Sequence, residues 1–160
     1  MLASLLLVVA AVFHMGAADL QAPEVHTGTV VDPTGQEPVA CELVDQSSAE
    51  TILGSDAINV GGTAVPSVCR YQNAEGNLVF IVQILIAEMY DVSPINPQTA
   101  VDIGDRGRFG VGDSGTANVQ FAKGNVSVTL RVTPTSGPPA SALMDPLLEV
   151  ARIAADRLPG

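Results

Sequence analysis

The run LVFIVQILIAEMY at residues 78–90 narrows the possible folds more than any other stretch of the chain. Its β-branched and aromatic content favours strand over helix. It is too short for the ~20 apolar residues that span a bilayer, and Gln83 interrupts it. Along a strand, successive side chains point to opposite faces. Leu78, Phe80, Val82, Ile84 and Ile86 form one apolar row, while Val79, Ile81, Leu85 and Ala87 form a second, broken only by Gln83. The expectation is a central strand covered on both faces.

Other segments supply partners for it. Residues 68–72 read as a strand carrying Cys69, joined to the central one by a turn over Ala74-Glu75-Gly76-Asn77. Residues 117–122 and 125–133 bracket Lys123-Gly124, a two-residue hairpin signal. In the second arm Val126, Val128, Leu130 and Val132 alternate with Ser127, Thr129 and Arg131, predicting one buried and one wet face. Ser47-Ser48-Ala49-Glu50 has the form of a capping box, and Gly54 can close the short helix that it opens. Residues 59–67, with adjacent glycines and a proline, read as a loop. Ser141 begins a helix whose Leu143, Leu147, Val150, Ala154 and Leu158 make one apolar stripe for packing on the sheet. The fold class expected is α+β: an antiparallel β-sheet with a short N-terminal helix and a C-terminal helix packed on one face, and one disulfide.

That disulfide follows from the address carried at the N-terminus. Residues 2–13 (LASLLLVVAAVF) are an apolar run followed by Gly16-Ala17-Ala18, small residues of the kind signal peptidase accepts, so residues 1–18 read as a signal peptide. No Lys or Arg precedes the run, which leaves further readings: a coding start upstream, an uncleaved anchor, or an ordinary buried helix. No Cys lies near it to accept lipid. Residues 19–40 read as an extended Pro-rich linker in which Thr29-Val30-Val31 can add an edge strand, and residues 41–160 as a single α+β domain. An even pair of cysteines in an exported chain predicts a Cys41–Cys69 bridge. The localisation expected is secreted or extracytoplasmic.

Composition excludes several functions. Seventeen acids against seven bases give a formal charge of -10, which repels phosphate backbones and anionic membranes, so no nucleic acid is expected and contact with a membrane only through an uncleaved signal anchor. There is no Trp, and the core must come from Val, Ile, Leu and Ala. Gly112-Asp113-Ser114-Gly115 reproduces the string around the nucleophile of chymotrypsin-like proteases. That mechanism needs a histidine base, and the one histidine beyond the signal segment is His26, in the linker. The string reads instead as a tight turn using Gly112 and Gly115. Asp102, Asp105 and Asp113 share a loop-rich region without calcium-loop spacing, and Arg106 and Arg108 can pair with them. Two thiols and one such histidine do not make a closed zinc site. Asn125-Val126-Ser127 is a formal glycosylation sequon from which nothing follows.

The order of features resembles a known group. Cys41-Glu42-Leu43-Val44, a helix ending in Leu53-Gly54, Val68-Cys69-Arg70-Tyr71, Gly112-Asp113, Lys123-Gly124-Asn125-Val126 and an Ala-rich C-terminal helix ending in Arg157-Leu158 together resemble an actinobacterial family of secreted proteins and lipoproteins of unknown function. The likeness runs from Cys41 to the end and extends to the extracellular sensor domains of some mycobacterial serine/threonine kinases. It implies an α+β fold with a disulfide and a cell-envelope ligand, and offers no catalytic residues. The chain departs from it in lacking a lipobox cysteine and in having Ser114-Gly115 after the Gly-Asp.

These readings converge on a non-enzymatic exported binding or sensor-like domain with no catalytic residues, metal or cofactor. Its partner is expected to be a small apolar ligand or an envelope protein. The alternatives are a secreted serine hydrolase using Ser114 and a structural module that dimerises through an exposed strand face.

Overall fold

The computed structural model describes residues 39–61, 66–92, 95 and 98–159. The signal segment, His26 and the Thr29-Val30-Val31 strand fall outside these residues. The described chain forms a seven-stranded antiparallel sheet in the order β1-β2-β3-β7-β6-β5-β4. Its strands are β1 (Ile58–Gly61), β2 (Val68–Gln72), β3 (Leu78–Ile86), β4 (Thr99–Val101), β5 (Arg106–Val111), β6 (Ala117–Lys123) and β7 (Val126–Pro134). Helices α1 (Ala40–Leu43), α2 (Gln46–Leu53) and α4 (Met144–Arg157) lie on one face, α4 continuing a 3₁₀ turn at Ala140–Leu143. The short helix α3 (Met89–Val92) follows β3. The class is α+β.

β3 is central, between β2 and β7, but only one of its faces is a core. Phe80, Val82 and Ile84 are buried at 0–1% exposure beneath the helices, whereas Val79, Ile81, Gln83 and Leu85 are half-buried. The expected second cover is partial because polar strand neighbours replace a second helical layer: Arg70 and Arg131 stand directly across from Ile81 on either side. Their aliphatic stems can shield it while the charged ends stay in water. The strand also stops before residue 90. Ile86 is the last residue with a partner, Val126, because β7 begins there, directly after the β6–β7 turn; the Ala87 amide then donates to the Asn125 carbonyl at 3.0 Å and the chain turns into α3.

The β6–β7 hairpin sits one residue later than expected. Lys123 is still paired with Val126 and its Nζ donates to the Ala155 carbonyl at 2.7 Å, so Gly124-Asn125 makes the turn, with Gly124 at φ 57°. Val126, Val128, Leu130 and Val132 are all buried, as their alternation predicts. Ser127, on the supposedly wet face, is buried as well. The capping box gives way to a different cap: Asp45, in extended conformation, accepts from the Ser48 amide at 2.9 Å, so α2 begins at Gln46 and Ser47 lies inside it. Gly54 closes α2 with φ 91°, but its ψ of 173° is extended and not left-handed helical. Part of the expected 59–67 loop is the edge strand β1, bulged between Asn59 and Gly61.

The α4 stripe of Leu147, Val150, Ala151 and Ala154 is fully buried, and Leu143 and Leu158 nearly so. Cys41 in α1 and Cys69 in β2 form the disulfide, with Cα atoms 5.1 Å apart. Beside it, the Tyr71 hydroxyl donates to the Val44 carbonyl at 2.6 Å. A disulfide points to an oxidising, extracytoplasmic compartment. Among the described residues no helix is long and apolar enough to cross a membrane.

Candidate functional site

On the helix face, α4 and the 3₁₀ turn pack on β6 and β7 and leave the β5–β4 edge partly uncovered. A cleft of about 320 Å³ opens there, lined by Thr99, Phe109, Gly110, Val111, Ser141 and Met144. Phe109, Val111 and Met144 make it apolar, and exposed Thr99 and Ser141 bring hydroxyls; none of the six is ionisable. The volume falls at the lower end of the range for small-molecule sites. Two glycines permit the tight edge that forms one wall. A Cβ on Gly107 would stand 2.6 Å from the Val101 carbonyl oxygen, and one on Gly104, at φ +65°, would stand 2.5 Å from that of Ala122.

The same edge is anchored from the opposite face. Arg108, 9% exposed, donates from Nε and Nη2 to Gln120 Oε1 at 2.9 and 2.6 Å, and from Nη1 to Gln98 Oε1 at 3.2 Å. Nη2 also donates to the Tyr90 carbonyl, and the guanidinium lies 4.0 Å from the centre of the Tyr90 ring. Arg106 pairs with Asp91 at 3.0 Å and approaches the same ring at 4.7 Å. One buried cation thus ties the end of α3 and the residue preceding β4 to β6, which fixes where β4 runs beside β5.

These two arginines do not pair with Asp102, Asp105 or Asp113 as expected. The β5 register turns both to the face away from α4, beside α3. Asp102 and Asp105 precede β5 and Asp113 follows it, so a strand length of roughly 20 Å separates them; Asp105 accepts from the Gly124 amide at 2.8 Å. Among the described residues no group of three or more His, Cys, Asp or Glu side chains comes together. Ser114 is exposed in the β5–β6 turn, its hydroxyl 3.2 Å from that of Thr116. Gly115 supplies the positive φ, 71°, and the turn closes through Gly112 to Thr116 at 2.9 Å; Gly112 itself needs no positive φ.

Sequence reasoning passed over β4 and β5, and with them the cleft, because Arg106-Gly107-Arg108-Phe109-Gly110-Val111 reads as loop. The missed signal was alternation: Gly107, Phe109 and Val111 on one face, Arg106, Arg108 and Gly110 on the other.

A second electrostatic feature joins the helices. Asp45 Oδ2 lies 2.7 Å from Arg157 Nη2, and Arg157 Nη1 donates to the Leu43 carbonyl at 2.8 Å. The Ser48 amide, then the Ser48 and Ser47 hydroxyls and Arg157, hold the Asp45 carboxyl well below its ordinary value of 3.8. Burial pushes the Tyr71 phenol up, with the Asp45 charge adding to it. A carboxylate with a depressed native pKa adds stability above the unfolded value, and that contribution fades as pH falls through 4 toward the native pKa. The stability difference between the wild-type chain and Asp45→Asn, measured by urea midpoints, is therefore expected to shrink between pH 6 and pH 3. Equal differences at both pH values would refute the assignment.

Compared with known proteins, the chain matches no family model, and neither a curated protein nor a solved structure similar to it was found.

Proposed function

We propose that the chain is a non-enzymatic, exported binding domain of the cell envelope or extracellular space, and that the β4–β5 cleft holds a small apolar ligand. The cleft carries this reading: Phe109, Val111 and Met144 offer apolar contact without an ionisable neighbour, and the hydroxyls of Thr99 and Ser141 can orient a ligand by one or two hydrogen bonds. The disulfide supports the exported half of the proposal. The alternative of a hydrolase on Ser114 draws no support from the turn that holds that residue.

Because the chain has no Trp, Thr99→Trp places a sole indole beside the cleft. The purified full-length variant is expected to lose indole emission saturably on titration with the neutral apolar dye N-phenylnaphthylamine. Adding Phe109→Asn is expected to weaken binding about tenfold, the equivalent of ~1.4 kcal/mol of lost apolar contact. Non-saturating emission, or affinity indifferent to Phe109, would remove the cleft as the site.

A further inference from the structure

No strand of the described sheet contains Asp or Glu. The described acids of this strongly anionic chain lie in helices, turns and loops. The bases are distributed in the opposite way. Arg70, Arg106, Arg108 and Arg131, four of the seven basic residues, all point from the sheet face that the main helices leave open. Arg106 is spent on Asp91, and Arg108 is buried at the α3 anchor. Arg70 and Arg131 remain exposed. They flank Ile81 from the two neighbouring strands, roughly 10 Å apart at the backbone.

The surroundings of this pair are polar and largely uncommitted. Arg131 Nε donates to Asn118 Oδ1 at 3.0 Å, which aims the guanidinium and leaves its terminal nitrogens available. Arg70, Gln72, Gln83 and Thr129 make no side-chain hydrogen bond among the described residues. Half-buried Val79 and Ile81 form an aliphatic floor between them.

We infer that this open face is a second binding surface, for an acidic, carboxylate-bearing glycan. The two guanidinium forks match carboxylates, amides and hydroxyls match sugar hydroxyls, and the aliphatic floor suits the C–H face of a sugar ring. Other occupants fit less well. Two copies packed open face to open face would bring arginines against arginines. An extended peptide must pair its own backbone and does so at a sheet edge, not across a face. A bilayer needs protruding apolar side chains, and Val79 and Ile81 lie below the arginine tips. The net charge of -10 opposes a densely charged nucleic acid, but is screened beyond about 8 Å at physiological salt, so local arginines can still engage sparser carboxylates.

The test is retention of the full-length chain on immobilised polygalacturonate at pH 7 in EDTA, with neutral dextran, poly-L-glutamate and phosphatidylglycerol vesicles as parallel arms. A protein of pI near 4.3 is net negative at pH 7, so its overall charge does not hold it on a polyanion. The expected result is salt-sensitive binding to polygalacturonate alone, weakened about tenfold or more by Arg70→Glu and by Arg131→Glu. Near-UV circular dichroism checks folding. If Arg131→Glu, which loses the Asn118 contact, unfolds, Arg70→Glu decides alone. No retention of the wild-type chain, or retention indifferent to Arg70→Glu, overturns the inference. Equal or stronger binding to poly-L-glutamate or to the vesicles overturns it in favour of an acidic protein or a membrane. Both variants leave the β4–β5 cleft untouched, so dye binding there reports separately.

Discussion

Cys41→Ala with Cys69→Ala is expected to lower the unfolding free energy by about 3 to 4 kcal/mol. The bridge closes a loop of sequence separation 28, for which chain-entropy arguments give that magnitude. In a domain of this size it is a large share of the whole, ~5–15 kcal/mol. The loss has a structural address. α1 has only four residues, too few to persist alone, and the bridge is the covalent part of an attachment that also includes the Tyr71 hydroxyl bond to the Val44 carbonyl, the Ala40 amide bond to the Pro66 carbonyl and the Arg157 bond to the Leu43 carbonyl. Asn59 Nδ2 sits 3.5 and 3.6 Å from the two sulfurs, so the edge strand β1 also leans on the bridge. Urea unfolding of the wild-type chain with and without a thiol reductant should reproduce the difference; a midpoint insensitive to reductant would sink this account.

Phe80→Ala is expected to cost about 3 to 5 kcal/mol, as a fully buried aromatic replaced by a methyl group forfeits transfer free energy and leaves a cavity. Phe80 lies opposite Tyr71 on one side and Val132 on the other, with its ring centre 6.0 Å from that of Tyr71. Ile81→Ala, one residue along on the half-buried face, should cost less than half as much. That contrast tests the one-sided core directly. Equal losses in urea midpoints at constant slope would mean that both faces of β3 are core after all.

Much of this architecture was legible because apolar periodicity reports burial. β2 was legible to the residue, as was the inward row of β7, and the α4 stripe followed from its 3.6-residue spacing. What escaped depended on partners distant in sequence. The end of β3 is decided by where β7 begins, which no local pattern in residues 78–90 records. The second face of β3 looked like core because Val79, Ile81 and Leu85 are apolar, yet the residues paired with them are polar, Gln72 and Thr133, Arg70 and Arg131, and Ser127, and all three stay half-buried. The α2 cap shifted because Asp45, already extended as the chain leaves α1, meets the Ser48 amide first. β4 and β5 hold their course through buried Arg108 and through glycines that only a close crossing requires, so the cleft they form with Ser141 and Met144 was invisible until the edge was assembled.

The strand order divides the sheet into two meanders, β1-β2-β3 and β4-β5-β6-β7, each able to form by turns and short connections between consecutive strands. They meet along one seam, β3 against β7, the two longest strands at nine residues each. Closing that seam joins parts of the chain far apart in sequence, so it is the slow pairing of the fold. Until it closes, the two most adhesive edges of the molecule stand open. Once it is shut, the described sheet ends in rims of four and three residues. Protection from intermolecular strand pairing therefore arrives in a single event at the middle of the sheet, and the newly made chain is most exposed to aggregation just before it.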